Sequence, residues 1–580
     1  RERHTLSEIP RLTLGMTEQK KDDRTKENKN KKRTTNLFTN KNKREMKTRT
    51  LFVTALLGLG MMASCSNDEL EGVDNGQNPD GKAYAQIAIN VANSATTRAI
   101  EGNTGSEQPG TESENAVYKV TVVLADPNND IAQYVYNFSG ASDVLIGEDK
   151  SNFATKPFEV PAGKYHVYVL ANFGDNGLSI SSINPGFDMK QEIGITAASK
   201  LSTDNSFLMT NGGVLGEVSK GGDGYGEVFD CTETGTTSKE VDGDLTDKDG
   251  GATLYKVAVN IERVVSKVTF NQTTTSFDVK DNNGTKLATA TVNGVDLINL
   301  NKKMYLIREA KTATHKPSGV STWYYPVDPN YNKLTSTELP SNFSDNEASP
   351  FTAPASATFY CPENTMIAEA QLNGQTTGVV YQITWALNTA NSNNPYTELS
   401  KGGTDTYSQI FAAILNLSSG KDNDITEDIF TAALAQGTTA GTFYAYNDLI
   451  FKNKNAAILY YCIANATGAD NSAKATAANS AFTSAKSAAE LPEGVKEYKG
   501  GVNYYPVWIK HNPDGSNMQQ DKFGVVRNHW YELTVTGISN LGNDKPKFEN
   551  PDDPDDPAVA NIQVAAKIKK WTVVKQNVEL

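Results

Sequence analysis

Short runs rich in Val, Ile, Thr and Tyr recur along this chain between clusters of Gly, Asn, Asp and Pro, and this rhythm constrains the fold more than any other feature. Side chains alternate across a strand with a period of two, so each run can bury a face and each cluster can turn the chain back. Val117–Asp126, Ala132–Phe138, Tyr255–Phe270, Ala288–Leu300, Ser321–Val327, Ala355–Asn364 and Thr377–Leu387 read as strands. Further strands are expected at Gly500–His511 and within Val525–Gly542. Pro157–Asp175 predicts a hairpin turning at Pro161-Ala162-Gly163. The expected class is therefore all-β, built from sandwiches. Helical pattern is confined to Thr406–Leu417, Glu427–Gly437 and the Ala/Ser-rich Ala464–Glu490, which are read as minor insertions.

The length of 580 residues allows two or three domains. The net charge of −13 hides an asymmetry: residues 1–45 carry 14 Lys and Arg against 7 Asp and Glu, leaving the remainder near −20. An acidic body of this kind has no electrostatic footprint for nucleic acid. Cys65, Cys231, Cys361 and Cys462 are too widely and irregularly spaced for a disulfide framework or a metal cluster.

The N-terminal region reads as an address. Lys47 and Arg49 precede an apolar run, Leu51–Met62, that is too short to span a bilayer, and Ala63-Ser64-Cys65 follows. Small residues directly before a cysteine resemble a bacterial lipobox, which implies cleavage before Cys65 and acylation of its thiol. Asp68 and Glu69 resemble the acidic tag of exported surface lipoproteins. Residues 1–45 are read as an upstream leader outside the true start, residues 46–64 as signal peptide, and residues 65–98 as a lipidated propeptide.

Within that propeptide, Ala83, Ala85, Ile87, Ile89 and Val91 alternate on one face and predict a half-buried strand. A polar, small-residue loop follows, and Arg98 is its only basic residue between Lys82 and Lys119. Exposed polar loops are where proteases cut, so Arg98–Ala99 is the expected cleavage site. At the other end, PDDPDDP (Pro551–Pro557) reads as an extended, self-repelling acidic linker. Beyond it, Ile562, Val564, Ala566 and Ile568 alternate, and past the lysines Trp571 and Val573 take over. Such a strand cannot bury its face within itself, and its edge offers unmet hydrogen bonds.

The lipobox at Cys65, the strand ahead of Arg98, Val167–Asn172, Asn260–Phe270, Gly500–His511, Arg527–Ile538 and a Trp571 tail after an acidic linker occur in series. In that order they resemble the major fimbrilins of Bacteroidota type V pili, most closely short-fimbria shaft subunits. The resemblance implies two transthyretin-like β-sandwich domains in tandem, expected at residues 99–262 and 263–550, with a donor strand at 558–580. It implies a shaft subunit that polymerises by protease-triggered donor-strand exchange. The implied partners are other copies of the chain, anchor and tip pilins, an arginine-specific protease, the lipoprotein machinery and the outer membrane through the precursor's lipid. The implied location is the fimbrium. A non-polymerising surface lipoprotein that binds glycan or host protein is the rival reading, and neither reading needs a cofactor or catalysis.

Other chemistry is weaker. His4, His166, His315, His511 and His529 are scattered without a metal or nucleophile motif. Asp242–Gly251 lacks the closing Glu of a calcium loop. Tyr504–Trp508 reads as strand core more readily than as a sugar platform.

Overall fold

The computed structural model describes residues 82–91, 107–146, 152–212, 227–388 and 441–572, apart from short stretches inside the last two ranges. Leu70–Leu580 forms one compact unit, and nearly every element in it is a strand. Thr406–Leu417, Glu427–Gly437, Cys65, Arg98, Ala99 and Val573 lie outside the described residues.

The first sheet uses β1 (Lys82–Val91), β2 (Lys119–Ala125), β3 (Ala132–Ser139), β4 (Val144–Ile146), β5 (Asn152–Thr155), β6 (Phe158–Pro161), β7 (Lys164–Ala171), β8 (Met209–Asn211) and β9 (Ala252–Arg263). Its order is β3-β2-β7-β8-β9-β1-β5-β4, with β6 also paired to β1. The sheet curls so that Phe138 on its end strand β3 packs 5.0 Å from Phe158 on β6. β2 (KVTVVLA) is buried on both faces, as its nearly unbroken apolar run requires.

The expected hairpin around Pro161 is a corner instead. β6 pairs with β1, whereas β7 pairs with β2 and β8. Gly163 makes the turn tight enough that a Cβ there would lie 2.7 Å from the Tyr165 hydroxyl. That hydroxyl donates back to the Pro161 carbonyl at 3.1 Å, fixing the corner that sends the chain across the curled sheet.

At Val264 the chain leaves β9 and enters β10 (Val265–Phe270), which lies in a different sheet. The second body contains β11 (Ser276–Lys280), β12 (Lys286–Ile298), β13 (Thr358–Pro362), β14 (Gly378–Leu387), β15 (Val502–Trp508), β16 (His529–Ile538) and β17 (Ile562–Thr572). One sheet runs from the short strand Glu107–Pro109 through β17, β16 and β10 to β13, and the other is β11-β12-β14-β15. Val268, Leu533 and Val535 of the first meet Val292, Tyr381 and Ile383 of the second in a common core, a two-layer sandwich.

Two helices, α1 (Lys454–Ala464) and α2 (Asn471–Ala485), pack with three short strands on a separate small core. Asp470 caps α2 by accepting from the Ala473 amide at 2.8 Å, and Ala475, Ala478 and Phe482 line its buried side. The low-complexity stretch is thus largely a packed helix.

The acidic linker is a correction. Pro551–Asp556 is docked, not extended: Gly374 donates to the Pro551 carbonyl and Asn373 to that of Asp553, both at 2.9 Å. Asp555 is 2 % exposed and bonded to the Thr376 hydroxyl, while Asp556 accepts from the Met518 amide at 3.0 Å and pairs with Lys522 at 3.1 Å. Like charges repel into an extended chain only in solvent, and here neighbouring turns supply the donors.

Candidate functional site

Two strands at opposite ends of the chain make up the site. The first is β1. It runs parallel to β9 from Tyr84 opposite Leu254 to Val91 opposite Ile261. On its other side it is antiparallel to β6 over Lys82–Ala85 and to β5 over Ala88–Asn90. Ala85, Ile87 and Ile89 are wholly buried and Val91 nearly so. The expected half-burial is an underestimate, since Gln86 and Ala88 on the other face are buried too. Gln86 donates to the Thr155 carbonyl at 3.1 Å, and the Thr155 hydroxyl accepts from the Ile87 amide at 3.1 Å. A strand hydrogen-bonded along both edges inside a curled sheet has no solvent face to spare.

The second is β17. It lies antiparallel to β16, with Ile562 opposite Ile538 and Lys570 opposite His529. Ile562, Val564 and Ala566 are half-buried and alternate with exposed Gln563, Ala565 and Lys567. The tail therefore does not hang free beyond a spacer, as the sequence suggested; it closes its own sheet. The change of phase near the lysines has a physical reason. Ile568 belongs to the second core, and Trp571, three residues on and thus on the opposite face, belongs to the first. Among the described residues, the outer edge of β17 is paired only at Lys570–Thr572, by Glu107–Pro109.

Trp571 sits in a charged cage that sequence reading missed. The Arg263 guanidinium lies 4.3 Å from its ring, Tyr360 stacks on it at 5.9 Å, and its indole N–H donates to Glu114 at 3.3 Å. Glu114 also accepts from Lys267 at 2.7 Å and from the Tyr360 hydroxyl. Burial by itself raises the Glu114 carboxyl, but the Lys267 and Tyr360 hydrogen bonds outweigh it and hold the group below the usual glutamate range. Arg263 donates to the Glu114 carbonyl at 3.0 Å, to Asn528 at 2.9 Å and to Asn115, and burial lowers its pKa to about 10, so it remains charged. One signal in the sequence pointed here: Thr111-x-x-Glu114 is a capping box, and it caps the one-turn helix Glu112–Asn115. What the box could not show is that its glutamate also receives groups more than a hundred residues away.

Two histidines converge under β16. His511 Nδ1 lies 2.7 Å from the Tyr531 hydroxyl, His529 Nδ1 donates to the Arg527 carbonyl at 2.9 Å, and the rings are 5.3 Å apart. Burial lowers both, His511 well below its ordinary value and His529 to about 4. The folded state thus resists protons that the unfolded chain accepts below about pH 6.5, so stability is lost as pH falls from there towards 4. We expect Tm to drop across that window, and the double variant His511→Asn/His529→Asn to flatten the drop by up to about 1.4 kcal/mol per pH unit for each histidine. A parallel decline in both proteins would assign the acid sensitivity elsewhere. His166 pairs with Asp130 at 2.7 Å inside the first core, and His4 and His315 lie outside the described residues. Cys231, Cys361 and Cys462 are buried free thiols. Trp385 donates to the Tyr505 hydroxyl at 2.9 Å inside the second core.

The segment that carries β15, β16 and β17, residues 496–577, matches the family described as major fimbrial subunit protein type IV, fimbrillin, C-terminal. The match is confined to this C-terminal segment of the chain. Solved structures similar to this chain include a fimbrilin from Porphyromonas gingivalis, at 14% identity over 85% of this chain and 99% of that one, with a TM-score of 0.35. Another is the tip fimbrial protein Mfa3 of the same organism, at 10% identity over 84% and 100% of the two chains and a TM-score of 0.28. The fimbrial anchor protein Mfa2, also from that organism, aligns over 44% of this chain and 75% of its own, at 15% identity and a TM-score of 0.21. No curated protein matches the sequence. The C-terminal segment is thus similar to that of major fimbrial subunits.

Proposed function

We propose that this chain is a fimbrillin, the precursor of a pilus shaft subunit and a structural protein without catalytic activity, that polymerises by donor-strand exchange. In this reading it is exported as a lipoprotein acylated on Cys65, cut after Arg98 by an arginine-specific protease, and joined head to tail with copies of itself. Anchor and tip subunits would complete the fibre.

The observation that carries the proposal is the place of β1. It is embedded mid-sheet between β9 and β5/β6, yet it precedes the body of the fold and joins it only through residues 92–106, where Arg98 is the one basic residue. Cutting there leaves β1 held by non-covalent contacts alone. Its departure would expose two strand edges and the apolar slot that Ile87, Ile89 and Val91 fill, a site made for an incoming strand. Those three side chains account for roughly 5–9 kcal/mol of gross burial, so the slot does not stay empty. The donor we assign is the C-terminal tail of the next subunit, whose Ile562, Val564, Ala566, Ile568, Trp571 and Val573 supply a comparable apolar series.

The test is the N-terminal chemistry of the protein before and after assembly. Subunits sheared from cells are expected to begin at Ala99, and mass spectrometry of the membrane-bound precursor should show an acylated Cys65. Fibres whose subunits still carried Ala83–Arg98 would overturn the exchange mechanism. A precursor with an unmodified Cys65 thiol would overturn the lipoprotein route.

A further inference from the structure

We infer that Glu107–Asn115 is a latch that holds the C-terminal strand on its own subunit, so that one cut at Arg98 both opens the acceptor slot and loosens the donor. This rests on the strand-exchange reading above and adds a control to it. An exchange polymer needs donor strands that are kept from wandering before the acceptors open, and here the piece that restrains the donor directly follows the cleavage loop.

The contacts divide into a firm part and a weak part. The firm part is Glu114, fixed by Lys267 and Tyr360 and bonded to the Trp571 indole. The weak part is the strand Glu107–Pro109, which pairs with Lys570–Thr572 over three residues. One of the three is a proline, which has no N–H to give to a ladder. Between the two parts, Gly110 passes so close that a Cβ would lie 2.9 Å from both the Trp571 indole nitrogen and the Arg263 guanidinium. Bare backbone therefore forms one wall of the tryptophan cage.

In the intact precursor the chain continues from this weak strand back to β1 on one side and into the Glu112–Asn115 helix on the other. After a cut at Arg98 and loss of β1, Glu107–Pro109 lies a few residues from a free chain end. Terminal segments with few contacts fray, and fraying here uncovers Trp571. The tail then leaves its own sheet more often, when slots on other copies have become vacant.

Hydrogen–deuterium exchange of the Ile562–Thr572 amides tests this, with full-length precursor and the same protein after arginine-specific cleavage, both diluted until light scattering shows monomers only. Cleavage is expected to speed exchange in this strand by about tenfold or more, the scale of local opening when a small contact set is lost. The uncut variants Glu107→Pro/Gln108→Pro and Gly110→Ala are expected to exchange fast without cleavage, yet not to assemble, because β1 still fills the slot. Exchange that stays slow after the cut, in protein that goes on to form fibres when concentrated, would overturn the latch and leave the strand-exchange reading intact. Exchange that accelerates in cut protein that never forms fibres would support the latch and overturn the strand-exchange reading.

Discussion

Replacing Arg98 by Ala is expected to yield a folded, lipidated monomer that forms no fibres at all. Before cleavage β1 competes for its slot as part of the same molecule, at an effective concentration in the millimolar range for a short tether. A neighbour's tail at micromolar concentration starts about a thousandfold behind, and it must also displace a strand hydrogen-bonded along both edges. Neither disadvantage is removed unless the link between β1 and the body is broken. Arg98 lies outside the described residues, and a Tm equal to that of the native precursor would show that cleavage, not folding, has been lost. Electron microscopy of the variant treated with an arginine-specific protease, beside the native protein, gives the comparison. Normal fibres from Arg98→Ala would mean that β1 leaves its slot without a cut.

Much of this arrangement was legible in the residues themselves. Ala83, Ala85, Ile87, Ile89 and Val91 announced their strand by strict alternation, and burial of that face follows from it. The Ile562–Ile568 alternation likewise marked β17. What alternation cannot reveal is which strands become neighbours. The turn at Pro161-Ala162-Gly163 is correct as a turn and wrong as a hairpin, because pairing depends on how the whole sheet curls, and that is set by contacts such as Phe138 against Phe158. PDDPDDP was read by its charge, but its carboxylates find amide and ammonium donors that the local sequence does not contain. The Trp571 cage was hidden for the same reason. Arg263, Lys267, Tyr360 and Glu114 are spread over two sheets and a one-turn helix, and only the completed fold brings them round one indole.

Ending the chain after Asp556 is expected to give a protein that folds, melts lower and cannot extend a fibre. The tail belongs to the fold of its own subunit as well. β17 places Ile568 in the second core and Trp571 in the first, with Ile562, Val564 and Ala566 packed against the second. Losing a buried tryptophan and an isoleucine costs at least about 5 kcal/mol gross, which for a body of this size corresponds to a fall in Tm of roughly 5–8 °C. Unfolding is not expected, because β16, β10 and β13 remain paired and still face the four-stranded sheet across Val268, Tyr381, Ile383 and Leu533. Once cut at Arg98, the truncated subunit keeps an open slot but offers no donor. Added to native protein it should therefore accept one tail and then terminate growth, so that fibres shorten in proportion to its share of the mixture. Val564→Asp separates the two roles of the strand. Val564 is only half-buried in its own subunit, so an aspartate there can stay near solvent and leave Tm little changed. In a neighbour's slot, where Ile87 and Ile89 are wholly buried, the same aspartate would bury an unpaired charge at a cost of several kcal/mol and block elongation. Melting curves beside electron microscopy resolve the outcomes. Fibres of normal length from the truncated protein alone would place the donor elsewhere in the chain, and a Val564→Asp protein that still polymerises would show that this face of the tail never enters the slot.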